Sequence, residues 1–109
     1  MMFTITNHQG MRIEFENGWA VSIQIGPGNY CDNHDTDIMA FATTATKPTN
    51  EFLKSTTAET AVINPAGNLI AIHDGEDTVQ GYQTTEQVLQ TLIETAARPE
   101  AEATDGKAE

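Results

Sequence analysis

The sequence predicts an α+β domain: an antiparallel, meander-like sheet of five or six strands with one C-terminal helix packed on a face. Three observations carry this. Residues 11–25 alternate apolar and polar on both sides of Asn17-Gly18, as two half-buried strands do. Residues 57–73 repeat the arrangement around Asn64-Pro65-Ala66-Gly67-Asn68. Residues 84–97 place Val88, Leu89, Leu92, Ile93 and Ala96 at helical spacing. Strands gathered first and a helix gathered last give an α+β layout.

The first strand is expected over 3–6, Phe-Thr-Ile-Thr, with turn residues at 7–10. In the next hairpin a two-residue turn at Asn17-Gly18 would pair Phe15 with Ala20 and put the two apolar sets on opposite faces. A three-residue loop, Glu16-Asn17-Gly18, pairs Phe15 with Trp19, Ile13 with Val21 and Met11 with Ile23. All six then share a face, and burying large side chains at roughly 1.5–3 kcal/mol each outweighs a turn preference. The expectation is a type I turn with Gly18 left-handed in a G1 bulge and Trp19 in the core.

Residues 26–37, GPGNYCDNHDTD, read as a loop, and 38–44, IMAFATT, as a third long strand. The polar stretch 45–56 allows one helical turn at 50–53. In the 57–73 hairpin, Pro65 suits the first corner of a type I turn and Gly67 the left-handed position after it, setting Asn64 opposite Asn68 and Val62 opposite Ile70. Apolar residues on both of its faces predict a central place in the sheet. Residues 74–83 read as a second acidic loop. Thr84 caps the helix with Gln87 as its capping-box partner, Arg98 suits the helix dipole, and Pro99 ends the helix. The folded domain is expected to span 1–98, followed by a disordered acidic tail over 99–109.

The 109 residues suffice for one domain with a thin core, in keeping with 39% apolar content. Sixteen Asp and Glu stand against five Lys and Arg, a formal charge of −11. That balance argues against direct binding to a nucleic-acid backbone or an anionic membrane, and suits solubility, a basic partner or a bound cation. A single cysteine excludes an internal disulfide. No charged start leads into an apolar core and no apolar run approaches a membrane span, so a cytoplasmic location is the expectation.

The 26–37 loop is the first place to look for a site. Gly26-Pro27-Gly28 would let backbone N–H groups cradle an anion, though no Lys follows and no helix is opened, as a phosphate loop requires. This leaves a small-molecule or nucleotide-binding reading of residues 26–33. Cys31 and His34 have a C-x-x-H spacing, but zinc needs three or four ligands. Only His8, His73 and the aspartates could complete the set, so no metal is assigned; Cys31 and His34 are the nearest candidates for one. Asp32, Asp35 and Asp37 offer hard oxygens without an EF-hand pattern. A thiolate needs a positive surrounding, and this loop is negative, so Cys31 reads as a buried structural residue and no catalytic residue or cofactor is assigned.

The ligand- or partner-binding candidates are Asn29, Tyr30, Asp32, Asn33, His34 and Asp35 in the first loop, with Asp74, Asp77 and Tyr82 in the second. Were the two loops neighbours, one acidic rim with two tyrosines would face a basic protein surface.

The stretch EFENGWAVSIQIGPGNYCDNH at 14–34, with its F-E-N-G-W and G-N-Y-C-D-N runs, and the hairpin, D-G-E-D turn, G-Y pair and capped helix of 60–93 resemble a group of small uncharacterised proteins of bacteriophages, chiefly of actinobacteria, and their hosts. The resemblance covers most of 11–97. It implies a phage or prophage origin and an accessory role in the infected cell, and it transfers no functional residues. The expected function is therefore a non-enzymatic acidic binding protein that binds or inhibits a host protein with a basic surface. The 3–6 strand, if it lies at a sheet edge, can pair between chains and make a homodimer.

Overall fold

A computed structural model of the chain describes residues 1–6, 9–35, 54–71 and 77–100. The strand expected over 38–44, the helical turn at 50–53, the candidate Asp74 and its neighbour His73, and most of the tail lie outside the described residues.

The described elements are β1 (Met2–Thr6), β2 (Gly10–Glu14), β3 (Ala20–Gln24), β4 (Ala58–Ile63), β5 (Leu69–Ile70), β6 (Val79–Gln83) and α1 (Thr85–Ala96). Every pairing among the described strands is antiparallel. The sheet runs β1-β2-β3-β4, and the far side of β4 is shared by β5 and β6. Six strands with one helix on a face, among the described residues, make the α+β architecture the sequence predicts.

Both hairpin registers match the apolar pattern. Met11 pairs with Ile23 and Ile13 with Val21. The Phe15 N–H donates to the Trp19 carbonyl at 2.8 Å and the Gly18 N–H to the Phe15 carbonyl at 2.9 Å, with Gly18 at φ 89°. The second hairpin repeats this geometry. Val62 pairs with Ile70, the Asn64 N–H donates to the Asn68 carbonyl at 2.9 Å, and Gly67 sits at φ 93°. β4 is central and the most buried strand, because it has apolar residues on both faces and partners on both edges.

One row of cross-strand partners therefore traverses the sheet: Phe3, Ile13, Val21, Val62 and Ile70. Trp19, Val21 and Val62 form the core, with Phe15, Ile23, Ile70 and Leu92 packed around them. The helix lies over β3, β4 and β6.

Three sequence expectations need correction. Residues 79–83 are not loop but strand β6, because the N-terminal half of β4 takes a second partner there. The apolar stripe of the helix is turned on its axis: Thr91 and Thr95 are buried, whereas Leu89 and Ile93 are more than half exposed. Arg98 lies beyond the last helical turn, and its guanidinium sits 4.5 Å from the centre of the Trp19 ring. The helix end is held by Asn17, whose Nδ2 donates to the carbonyls of Thr95 (3.0 Å) and Arg98 (2.8 Å). These contacts dock the C-terminal end of the helix on Trp19, and hydropathy spacing alone does not contain them. The N-terminal cap is as expected, with Thr84 and Gln87 forming a reciprocal capping box.

Candidate functional site

The loop after β3 is built by its own backbone. The Gly28 N–H donates to the His34 carbonyl (2.9 Å), Asn29 to Gly26 (3.2 Å), Cys31 to Asn29 (2.8 Å) and His34 to Cys31 (3.0 Å). Gly26 gives the loop room beside Gln9, whose side chain a Cβ there would approach to 2.6 Å and force to shift. The loop is then pinned to the segment that leads into β4. Asp32 Oδ2 accepts from the Thr56 N–H (2.7 Å) and hydroxyl (2.6 Å), Oδ1 accepts from the Thr57 hydroxyl (2.6 Å), and the Asp32 N–H donates to Thr57 Oγ1 (3.0 Å).

These bonds decide what the loop can do. The backbone N–H groups of Gly28 to Asp32 are all engaged within the protein, the Tyr30 N–H with Glu59 Oε2 at 3.3 Å. They do not form an open anion cradle. The hydrogen bonds from Thr56 and Thr57 hold the Asp32 carboxyl down at about 2, from 3.8. Asp32 therefore acts first as a loop clamp. Asn33 is buried, and its amide donates to the Ile25 carbonyl at 2.8 Å, a second internal tie.

Cys31 is 1% exposed, with Sγ 3.7 Å from the Gly26 carbonyl. Burial pushes its thiol up, with the Asp32 and Glu59 charges adding to the rise. That is the opposite of an activated nucleophile. Among the described residues no three His, Cys, Asp or Glu side chains gather as a metal-ligating group.

The outward side of the loop carries an aromatic row. Tyr30 and His34 stack with centroids 5.5 Å apart and planes 10° apart. Tyr30 also meets Tyr82, with centroids at 6.5 Å and planes tilted by 32°. Tyr30 is 53% and Tyr82 54% exposed. The contact depends on a bulge in β6. Ala58 pairs with Gln83 and Thr60 with Gln80, so Gly81 and Tyr82 together oppose Glu59. Tyr82 takes φ 51°, a left-handed conformation costly for a bulky residue, and its N–H donates to the Tyr30 carbonyl at 2.7 Å. Gly81 leaves the space, because a Cβ there would lie 2.7 Å from Tyr30 Cβ.

Carboxylates border the row. His34 Nδ1 and Asp35 Oδ1 are 3.0 Å apart, with Asp35 fully in solvent. Glu59 supports the base of Tyr30. Asn29 satisfies its surroundings when its amide donates to Glu59 Oε1 at 3.0 Å.

Of the candidates read from the sequence, Asn29, Tyr30, His34, Asp35 and Tyr82 thus come together. Asp32 and Asn33 lie in the same loop but bind the protein itself. Asp77 lies two residues before β6, where its carbonyl accepts from Gln80 Nε2 at 2.9 Å. The expected acidic rim depends on residues 74–76, which lie outside the described residues; the described part of the site is an aromatic row with carboxylates on its margins. Glu59 is the member the sequence reading misses; it looks like any polar residue of an alternating strand. A groove of about 280 Å³ between helix and sheet, lined among others by Ile23, Ile25, Val88, Leu89 and Leu92, also lay outside that reading.

The helix-backed antiparallel sheet thus carries a cluster of two tyrosines and a histidine, with both tyrosines more than half exposed. Comparison with protein-family profiles, curated proteins and solved structures finds no match for the chain.

Proposed function

We propose that this is a non-enzymatic binding protein that holds a basic protein segment on the His34–Tyr30–Tyr82 row. The observation that carries the reading is the junction of two tyrosines from separate segments, both more than half exposed, through a strained Tyr82. Aromatic faces attract lysine and arginine cations, by about 0.5–1 kcal/mol each at exposed sites. Asp35 and Glu59 at the margins, and a net charge of −11, favour the same ligands and speed their approach. The engaged N–H groups of the loop make a phosphate or nucleotide ligand the weaker reading. Taken with the resemblance to phage proteins, this is an accessory factor that binds or inhibits a basic host protein in the host-cell cytoplasm.

The test is calorimetric titration with an arginine-rich peptide, beside a glutamate-rich peptide of equal length. Binding of the first alone, weakened several-fold by Tyr30→Ala and by added salt, supports the reading. Equal affinity of the Tyr30→Ala protein, or no heat with the basic peptide, refutes it.

A further inference from the structure

We infer that the outer edge of β1 is a homodimer interface in which two copies join their sheets around a twofold axis at Thr4. Among the described residues β1 is the terminal strand of the sheet and its outer edge has no partner. Natural edge strands discourage pairing with a charge, a proline, a bulge or extreme shortness. Met2-Phe3-Thr4-Ile5-Thr6 has none of these over five regularly paired residues. In a chain of charge −11, it is a stretch that a second copy can approach without like charges meeting across the contact.

The register follows from the hairpin. The Thr6 carbonyl accepts from the Gln9 N–H at 2.8 Å, so Thr6 turns its main-chain groups inward. In an antiparallel ladder residues alternate in this respect. Thr4 and Met2 therefore also face β2, while Phe3 and Ile5 present their N–H and C=O groups outward. Full overlap of two β1 strands sets Met2 opposite Thr6 of the second copy, Phe3 opposite Ile5, and Thr4 opposite itself. Phe3 and Ile5 then exchange four hydrogen bonds across the axis. The two residues share the helix-side face of the sheet, through their partners Ile13 and Met11. There they are 74% and 78% exposed. Pairing lays each Phe3 against the opposing Ile5 and extends the apolar row from one sheet into the next.

The scale of the contact sets its strength. Phe3 exposes on the order of 150 Å², and the pairing stays below the roughly 800 Å² per partner of a standard interface. The dimer is therefore a small, reversible one. Because the two chains are both strongly acidic, added salt tightens the dimer, whereas it loosens capture of a basic peptide. The two proposals are thereby separable in the same samples.

Sedimentation velocity on the full chain, over concentrations from about one to several hundred micromolar, should show one mass shifting toward two chain equivalents. Ile5→Lys, at an exposed position, should leave the melting temperature within a few degrees of wild type and hold the protein monomeric. Thr4→Cys tests the register. A non-hydrogen-bonded pair has its Cα atoms about 4.5 Å apart, within disulfide reach, so mild oxidation should link two chains. Thr6→Cys should not link, and neither should the wild type, whose Cys31 is buried. A protein that is monomeric at every concentration overturns the inference. So does a dimer that survives Ile5→Lys, equal linking by Thr6→Cys, or growth beyond two chains.

Discussion

The backbone N–H of Tyr82 donates to the carbonyl of Tyr30 at 2.7 Å, and this one bond joins the end of β6 to the loop after β3. It holds Tyr82 at φ 51° on the extra residue of a bulge. A left-handed tyrosine costs stability that glycine would not. Tyr82→Gly should therefore keep or slightly raise the melting temperature, by the equivalent of ~0–1 kcal/mol, while weakening binding of a basic peptide. Thermal denaturation beside the titration checks the pair of outcomes. A large loss of stability would mean that the tyrosine ring supports the fold rather than recognition.

Gly81→Ala should instead lower stability. Its Cβ would stand 2.7 Å from Tyr30 Cβ, so the loop or the strand must move. A loss of about 1–3 kcal/mol in urea denaturation is expected, with weaker peptide binding.

Asp32 gives the fold an acid-sensitive clamp. Its carboxyl titrates near 2 when folded and near 3.8 when free of Thr56 and Thr57. A depressed folded value stabilises the native state above the unfolded pKa, and that contribution is lost as pH falls through the folded one. The wild-type melting temperature should accordingly drop between about pH 4 and pH 2. Asp32→Asn should melt lower at neutral pH and lose less across that window. Charge reversal at Asp32 would thus disturb the loop as well as any partner contact.

Asn17 bridges the first hairpin turn and the end of the helix. Its Oδ1 accepts from the Trp19 N–H at 3.0 Å, and its Nδ2 donates to carbonyls at the helix C-terminus. Asn17→Ala should cost about 1–3 kcal/mol in chemical denaturation, since helix carbonyls lose their donor. Hydrogen exchange should quicken first in the last helical turn.

The buried thiol gives a simple chemical check. Cys31 should alkylate far more slowly in the native protein at neutral pH than in urea, because the thiolate is both disfavoured and covered. Rapid native labelling would place Cys31 on the surface instead.

Much of the fold was readable because the forces that set it act over short stretches. The two hairpin registers follow from a side-chain period of two and from Gly18 and Gly67 at left-handed positions. The helix start follows from Thr84 and Gln87, three residues apart. The site was legible only in part. Tyr30, His34 and Asp35 share a loop and could be named together, whereas Glu59 has no local signature.

What remained depends on partners distant in the chain. β6 is a strand because β4 offers it an edge, although 74–83 reads as turn residues. Asp32 is a clamp because Thr56 and Thr57 lie beside it, twenty-four and twenty-five residues away. The helix buries Thr91 and Thr95 rather than Leu89 and Ile93 because Trp19 and Asn17 receive its far end. Local periodicity and capping chose the elements and their pairings within hairpins; packing between segments remote in sequence chose which faces meet, and so which tyrosines stand together.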